Sequence, residues 1–333
     1  MLLLGIDERF ALHDPGRGHP ERPARATAVV EALRDAGVDL EPARLEPRAA
    51  TRAEIERVHS ADYLDALERL CEAGGGRLDV DTVASAGSWD AAVHAAGSGL
   101  AAIEALDAGR GGGAFCAVRP PGHHAVPAHA MGFCLLNNVA VTAAALTGRG
   151  ERVVIVDWDA HHGNGTQAIF WDRPDVLYVS LHEWPLYPGT GRADETGGAN
   201  APATTLNVPL PSGATGDVYS AAFDEVIAPV VERFAPDWVL VSAGFDAHRA
   251  DPITGLGLSA GDFAAITERV LAFAPRPGRL IAFLEGGYDL DALHDSVVAM
   301  VTTLLGDPRS SERPTTGGPG REAVAQARAR WSH

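Results

Sequence analysis

The sequence contains no lysine: all 27 basic side chains are arginine, set against 44 aspartates and glutamates, for a formal net charge of −17. That acid excess excludes the basic footprint needed to bind a phosphate backbone, so nucleic acid is not expected as a direct partner. It suits cationic partners such as lysine-rich tails or polyamines, and it favours solubility. Cysteine is scarce. Cys71, Cys116 and Cys134 are too few for a disulfide framework, and no C-x-x-C pair occurs. A reducing, cytoplasmic setting follows as the expectation. No apolar run is long enough to cross a bilayer. The opening MLLLGID meets an acid too soon to read as a signal peptide.

What is present is material for a large core, with 46% hydrophobic residues in 333. Six short runs are continuously apolar rather than alternating: Leu2–Ile6, Ala114–Val118, Val153–Val156, Val176–Leu181, Trp238–Val241 and Leu280–Leu284. Such runs indicate strands buried on both faces, as in a parallel sheet. Helical stretches lie between them, at Pro23–Ala36, Ser88–Ala108, Asn138–Leu146, Asp217–Phe234 and Ser259–Phe273. The alternation predicts an α/β fold with crossover connections. Residues 1–306 are expected to form one catalytic domain. Residues 307–333 begin with a Pro-, Gly-, Ser- and Thr-rich stretch, which predicts a loose extension with a short helix near Glu322–Trp331.

Residues able to do chemistry collect just after the apolar runs. Ala114–Val118 leads into RPPGHH, with His123 and His124. Val153–Val156 leads into DWDAHHGNG, with Asp157, Asp159 and His161. Trp238–Val241 leads into SAGFDAH, with Asp246, and Leu280–Leu284 into EGGYD, with Tyr288. Ligands of open parallel sheets bind at the carboxyl ends of strands. In an extended chain alternate residues point the same way, so Asp159 and His161 can reach one point, with Asp246 as a third ligand. Two carboxylates and an imidazole make a three-ligand site that leaves a position open for water. Zn²⁺ fits this set, and so do Fe²⁺ and Mn²⁺. The histidine pair suits proton transfer near neutral pH, although caps or extra metal ligands are open alternatives. A phenol at Tyr288 could donate to a developing oxyanion; read alone, GGY is a turn before a helix.

The segments RPPGHHA, GFCLLNN, DWDAHHGNGTQ, YVSLHEWPLYPGTG, SAGFDAHRADP and EGGYD together resemble the histone deacetylase superfamily. The likeness is nearest to its class II and bacterial deacetylase-like branch, related to acetylpolyamine amidohydrolases. HPERPAR, from His19 to Arg25, is similar to the same branch, and the resemblance spans residues 5–305. It implies an arginase-like three-layer αβα fold with a central, mostly parallel sheet of about eight strands. It also implies a zinc-dependent amidohydrolase that removes an acetyl or other acyl group from lysine side chains or a related amine. Asp159, His161 and Asp246 match the metal ligands, and His124 the general base and acid. His123 matches its more buried neighbour, Asp157 the carboxylate orienting that neighbour, and Tyr288 the oxyanion donor. Asn164 stands beside His124 where some members carry Asp.

The same resemblance places Gly132, Phe133 and Tyr187 on the walls of a narrow substrate channel, with Asp81 at its rim. Gly286 and Gly287 line the site. Ile253 occupies the position where polyamine-selective relatives carry an acid, which argues against a polyamine. Asp157, Asp159, His161, Ser180 and Leu181 resemble a structural potassium site. The implied partner is an acylated lysine peptide or protein, or an acylated small amine, and homo-oligomerisation is left open. Two other classes stay open at this point: an arginase-like hydrolase with two Mn²⁺ ions, and a non-catalytic binder of acylated tails.

Overall fold

The computed structural model describes residues 1–46 and 48–332. Its strands are β1 (Leu2–Gly5), β2 (Gly75–Arg77), β3 (Val83–Ser85), β4 (Gly113–Cys116), β5 (Val153–Asp157), β6 (Val176–Glu183), β7 (Thr205–Leu210), β8 (Trp238–Ala243) and β9 (Leu280–Leu284). Seven of them form one sheet in the order β1-β4-β9-β8-β5-β6-β7, and every neighbouring pair is parallel. The small ribbon of β2 and β3 is antiparallel and separate. The described residues thus give seven sheet strands where the resemblance implied about eight.

The six expected strands are all present because their runs are apolar on both faces. In β5, Val154 and Val156 enter one core while Val153 and Ile155 enter the other. In β8, Val239 and Val241 face the first core, and Trp238 and Leu240 the second. Each fully buried Val, Leu or Ile contributes about 1.5–3 kcal/mol relative to exposure. The first core is closed by helices Ala24–Asp35, Ala260–Leu271, Leu290–Leu304 and Arg321–Trp331, and the second by Ala61–Glu72, Ser88–Asp107 and Asn138–Thr147. These are three layers, αβα.

Two expectations change in detail. The helix read as Asp217–Phe234 starts at Gly216 and is interrupted by a π-helical turn at Phe223–Ile227. The stretch after Gly306, whose composition suggests a loose link, is bound along its length. Glu312 accepts from the Ala260 N–H at 2.9 Å and pairs with His248 at 2.8 Å. The Thr315 hydroxyl donates to Asp262 at 2.7 Å. The terminal helix buries Val324, Ala327 and Trp331 in the first core. Backbone and side-chain hydrogen bonds hold this segment despite its proline and glycine content.

Candidate active site

After β5 the chain turns into the helix Asn164–Phe170, which packs on the second core through Phe170. After its neighbour β8 the chain reaches the helix Ala260–Leu271, on the first core. Connections that leave adjacent parallel strands on opposite faces open a crevice at their carboxyl ends. Asp157, Asp159 and His161 enter that crevice from β5 and Asp246 from β8.

Donor atoms of Asp159, His161 and Asp246 lie within 4.8 Å of one another, and all three residues are buried. His161 Nδ1 sits 3.2 Å from Asp159 Oδ1 and 2.9 Å from Asp246 Oδ2. The second carboxylate oxygens are fixed by backbone donors: Gly286 N–H to Asp159 Oδ2 and Ala160 N–H to Asp246 Oδ1, both at 2.8 Å. Burial, then the Asp159 charge, pushes the Asp246 carboxyl up to about 7. Burial alone would lower the His161 pKa, but hydrogen bonds to Asp159 and Asp246 overcome it and raise it to about 10. A proton on His161 therefore offsets one carboxylate charge, at the point where a divalent cation would replace it. The donor chemistry and the enforced convergence fit a metal. Gly286 is required here, because a Cβ would stand 2.3 Å from Asp246 Oδ2 and 2.7 Å from Asp159 Oδ2.

The histidine pair lines the same crevice. His123 Nδ1 is 3.0 Å from Asp157 Oδ2, which also accepts from the Tyr178 hydroxyl at 3.0 Å. His124 Nδ1 is 2.8 Å from Asn164 Oδ1. Burial would lower the His123 pKa, but the charges of Asp157, Asp159 and Glu285 outweigh it and raise it well above the usual value. For His124, burial and then the charges of His123 and His161 lower it well below. One ring thus favours the charged form and its neighbour the neutral form. This is the division that acid and base roles require.

Aromatic rings enclose the approach. Tyr187 meets His124 edge to face, with centroids 5.2 Å apart and planes at 84°. Phe133 meets Tyr288 at 5.7 Å and 86°, and His19 at 4.7 Å. Phe133 has φ 67°, a strained value for a bulky residue, and follows Gly132 at φ 55°. Gly132 passes so close to His124 that a Cβ would stand 2.3 Å from its Cδ2. The β2–β3 turn is pinned beside this wall, by the Thr82 hydroxyl accepting from Phe133 N–H at 3.0 Å and by His19 Nε2 at 2.9 Å from the Asp81 carbonyl. Asp81 itself is half-buried there. Burial dominates in keeping the Tyr288 phenol protonated, with its pKa well above 10.

Other expected residues fall nearby with less engagement. Ile253 is half-buried on the loop whose Thr254 hydroxyl bonds the Asp246 carbonyl, and its N–H donates to Asp251 Oδ1 at 3.1 Å. Ser180 pairs with Asp157 across β5 and β6, its hydroxyl 2.9 Å from His182 Nδ1, and Leu181 is buried opposite Val208. The Gly287 carbonyl accepts from Arg25 Nε at 2.6 Å.

Several supporting residues escaped the sequence reading. Glu285 Oε2 accepts from Gly122 and His123 N–H groups at 2.6 and 3.1 Å, tying β9 to the histidine loop. Asp251 Oδ2 accepts the Tyr288 N–H at 2.8 Å. Arg25, fully buried, lies 5.0 Å from the Tyr288 ring centroid. Signals existed for each: Glu285 opens EGGYD, Asp251 sits in HRADP, and Arg25 ends HPERPAR.

Comparison with known proteins agrees with this geometry. Residues 19–304 match the family model for the histone deacetylase domain. A probable deacetylase of Archaeoglobus fulgidus is 40% identical over 313 residues, covering 92% of this chain and 87% of that protein. The histone deacetylase-like amidohydrolase of Pseudomonas aeruginosa is 41% identical over 297 residues, covering 87% and 77%. Histone deacetylase 15 of Arabidopsis thaliana is 41% identical over 330 residues, which are 95% of this chain and 59% of that longer protein. The crystal structure of the HDA15 HD domain matches with a TM-score of 0.89 at 37% identity, covering 98% of this chain and 94% of that one. This chain belongs to the histone deacetylase family, as a metal-dependent hydrolase of acyl amides.

Proposed function

We propose that this chain removes an acetyl or other acyl group from the side-chain amine of lysine, in a peptide or protein or in a related small amine. The observation that carries the reading is the pair of oppositely poised imidazoles beside a buried Asp-His-Asp group. Asp159, His161 and Asp246 would hold one divalent cation, with Zn²⁺ first and Fe²⁺ or Mn²⁺ compatible with the same donors. Bound there, it supplies Lewis-acid polarisation of the acyl carbonyl and lowers the pKa of water toward ~7.

The remaining work falls to the protein. His124, neutral and held through Nδ1 by Asn164, takes the proton from the attacking water as the C–O bond forms. The Tyr288 phenol donates a hydrogen bond to the tetrahedral oxyanion, and the charged His123, oriented by Asp157, stabilises the same state. The C–N bond then breaks, and the amine leaves with the proton carried by one of the two imidazoles. Phe133 and Tyr187 present apolar faces to the methylene stem of the substrate. Gly132, Gly286 and Gly287 let backbone pass close to the reacting groups, and Asp81 is assigned to the rim.

The half-buried Ile253 supports an acyl-lysine over a polyamine, because it offers no charge to a second ammonium. Three buried free thiols support the cytoplasm as the site of action. No helix among the described residues is long and apolar enough to cross a membrane. We also assign a structural K⁺ to the segment of Asp157, Asp159 and His161 with Ser180 and Leu181, on the support of their burial and the β5–β6 register. A fluorogenic acetyl-lysine amide, assayed with and without chelator, tests the reaction. Cleavage abolished by chelator and reduced roughly 10²–10⁴-fold by His124→Ala is expected. Peptide binding without cleavage by metal-loaded protein would instead identify a binder. Tyr288→Phe should slow turnover while metal content holds.

A further inference from the structure

The described residues contain a second group of metal-ligating side chains, which shares His123 with the imidazole pair. Donor atoms of His123, Cys134 and Glu285 lie within 4.8 Å of one another, and all three residues are buried. Cys134 comes from GFCLLNN and is 0% exposed. Its Sγ stands 3.3 Å from the Gly132 carbonyl. Burial and the Glu285 charge hold it as a thiol, while backbone N–H groups of His124 and Ala125 favour the thiolate. Of the His123 nitrogens, Nδ1 is committed to Asp157 at 3.0 Å. Nε2 has its nearest acid, Asp159 Oδ1, at 3.8 Å, which is beyond hydrogen-bond length. Glu285 accepts two backbone N–H groups and the Ser242 hydroxyl, the last at 3.1 Å, and a carboxylate has about four lone-pair sites to offer.

We infer that His123, Cys134 and Glu285 form a second, inhibitory cation site, selective for thiophilic ions such as Cd²⁺ or excess Zn²⁺. The charge balance favours it. One thiolate, one carboxylate and a neutral imidazole neutralise a divalent ion, so no net charge is buried. The donor set also separates the two sites. The Asp159 group offers oxygen and nitrogen and suits several divalent ions, whereas a thiolate selects softer ones. Binding requires both the Cys134 thiol proton and the His123 Nε2 proton to leave, so affinity rises with pH. The bound ion occupies His123 Nε2 and removes that ring from the reaction. Only this last consequence rests on the function proposed above.

The test is a Cd²⁺ titration of the enzyme already loaded with its first equivalent of Zn²⁺, followed by ultraviolet absorption and acetyl-lysine cleavage together. A Cd–thiolate charge-transfer band is expected to grow with the added ion as cleavage falls. Cys134→Ala should cleave at the wild-type rate without Cd²⁺, lack the band, and resist inhibition by about tenfold or more. Cys134→Ser, closer in size, should lose the band likewise, which covers a folding defect in the alanine variant. A band that persists in both variants, or that never forms in wild type, overturns the proposal. Cd²⁺ exchanged into the Asp159 group gives no thiolate band, so that event is distinguishable. If wild type shows the band but cleaves no acyl-lysine amide before Cd²⁺ is added, the cation site stands and the proposed function falls.

Discussion

His123 and His124 are consecutive residues with ring centroids 4.0 Å apart, yet they occupy opposite electrical surroundings. The inner pocket gives His123 the Asp157 carboxylate on Nδ1, with Asp159 and Glu285 close by. The outer pocket gives His124 the Asn164 amide, and two imidazoles as its nearest positive neighbours. The residue type is the same and so is the depth of burial. What differs is whether the partner of Nδ1 carries charge. Neighbouring histidines can therefore be assigned different protonation states by residues 34 and 40 positions away in the chain.

The comparison can be broken most severely at Asp157. Asp157→Asn removes the charge that holds His123 protonated, so its pKa drops and the alkaline limb of the pH–rate profile moves to lower pH. Turnover is expected to fall by roughly 10²-fold or more. A merely structural role would lower the rate without moving that limb. Next in size is Asn164→Asp, which makes the outer pocket resemble the inner one. A carboxylate on Nδ1 raises the His124 pKa, so the acid limb of kcat/KM moves to higher pH. The rate at neutral pH should fall by about tenfold, because less of the base is neutral.

A third imidazole sharpens the comparison through stability, with no change in rate expected. His59 is buried with backbone partners only: the Asn137 N–H donates to Nε2 at 2.9 Å, and Nδ1 faces the Val126 carbonyl at 3.1 Å. Burial pushes its pKa down from 6.5 to about 4. On acidification the unfolded chain takes the proton first. The stabilisation is complete above about pH 6.5 and is lost as pH falls toward about 4. The full loss is on the order of 3 kcal/mol. Urea unfolding of wild type and His59→Gln across that window should show the variant with the flatter pH dependence. Equal slopes would contradict the neutral assignment.

Much of this architecture can be read before folding. Continuous apolar runs mark the six strands because a parallel sheet with helices on both faces demands apolar side chains in both directions. The missed sheet strand, Thr205–Leu210, carries Asn207 and Pro209. It lies at the sheet edge, where a proline is tolerated and where Asn207 Nδ2 can reach Gln167 at 2.8 Å. Asp159 and His161 lie in the bend after β5, where the His161 N–H donates to Asp159 Oδ1 at 2.9 Å, so a local turn and not strand alternation brings them together; the arrival of Asp246 depends on β8 lying beside β5. Glu285 and Asp251 stand in recognisable motifs, but their roles could not be read from them, for another reason. The contacts that tie them to the site are made with backbone N–H groups of distant segments, those of Gly122, His123 and Tyr288, which nearly any residue type supplies.

The central claim is that Asp159, His161 and Asp246 share one cation needed for cleavage. Its most direct test counts divalent metal per chain, after exhaustive dialysis against metal-free buffer, in wild type and in Asp246→Ala. The account expects one ion in wild type. In the variant it expects close to none, with cleavage lost and the fold retained by circular dichroism. An ion still held tightly by Asp246→Ala, or two ions in dialysed wild type, would contradict it.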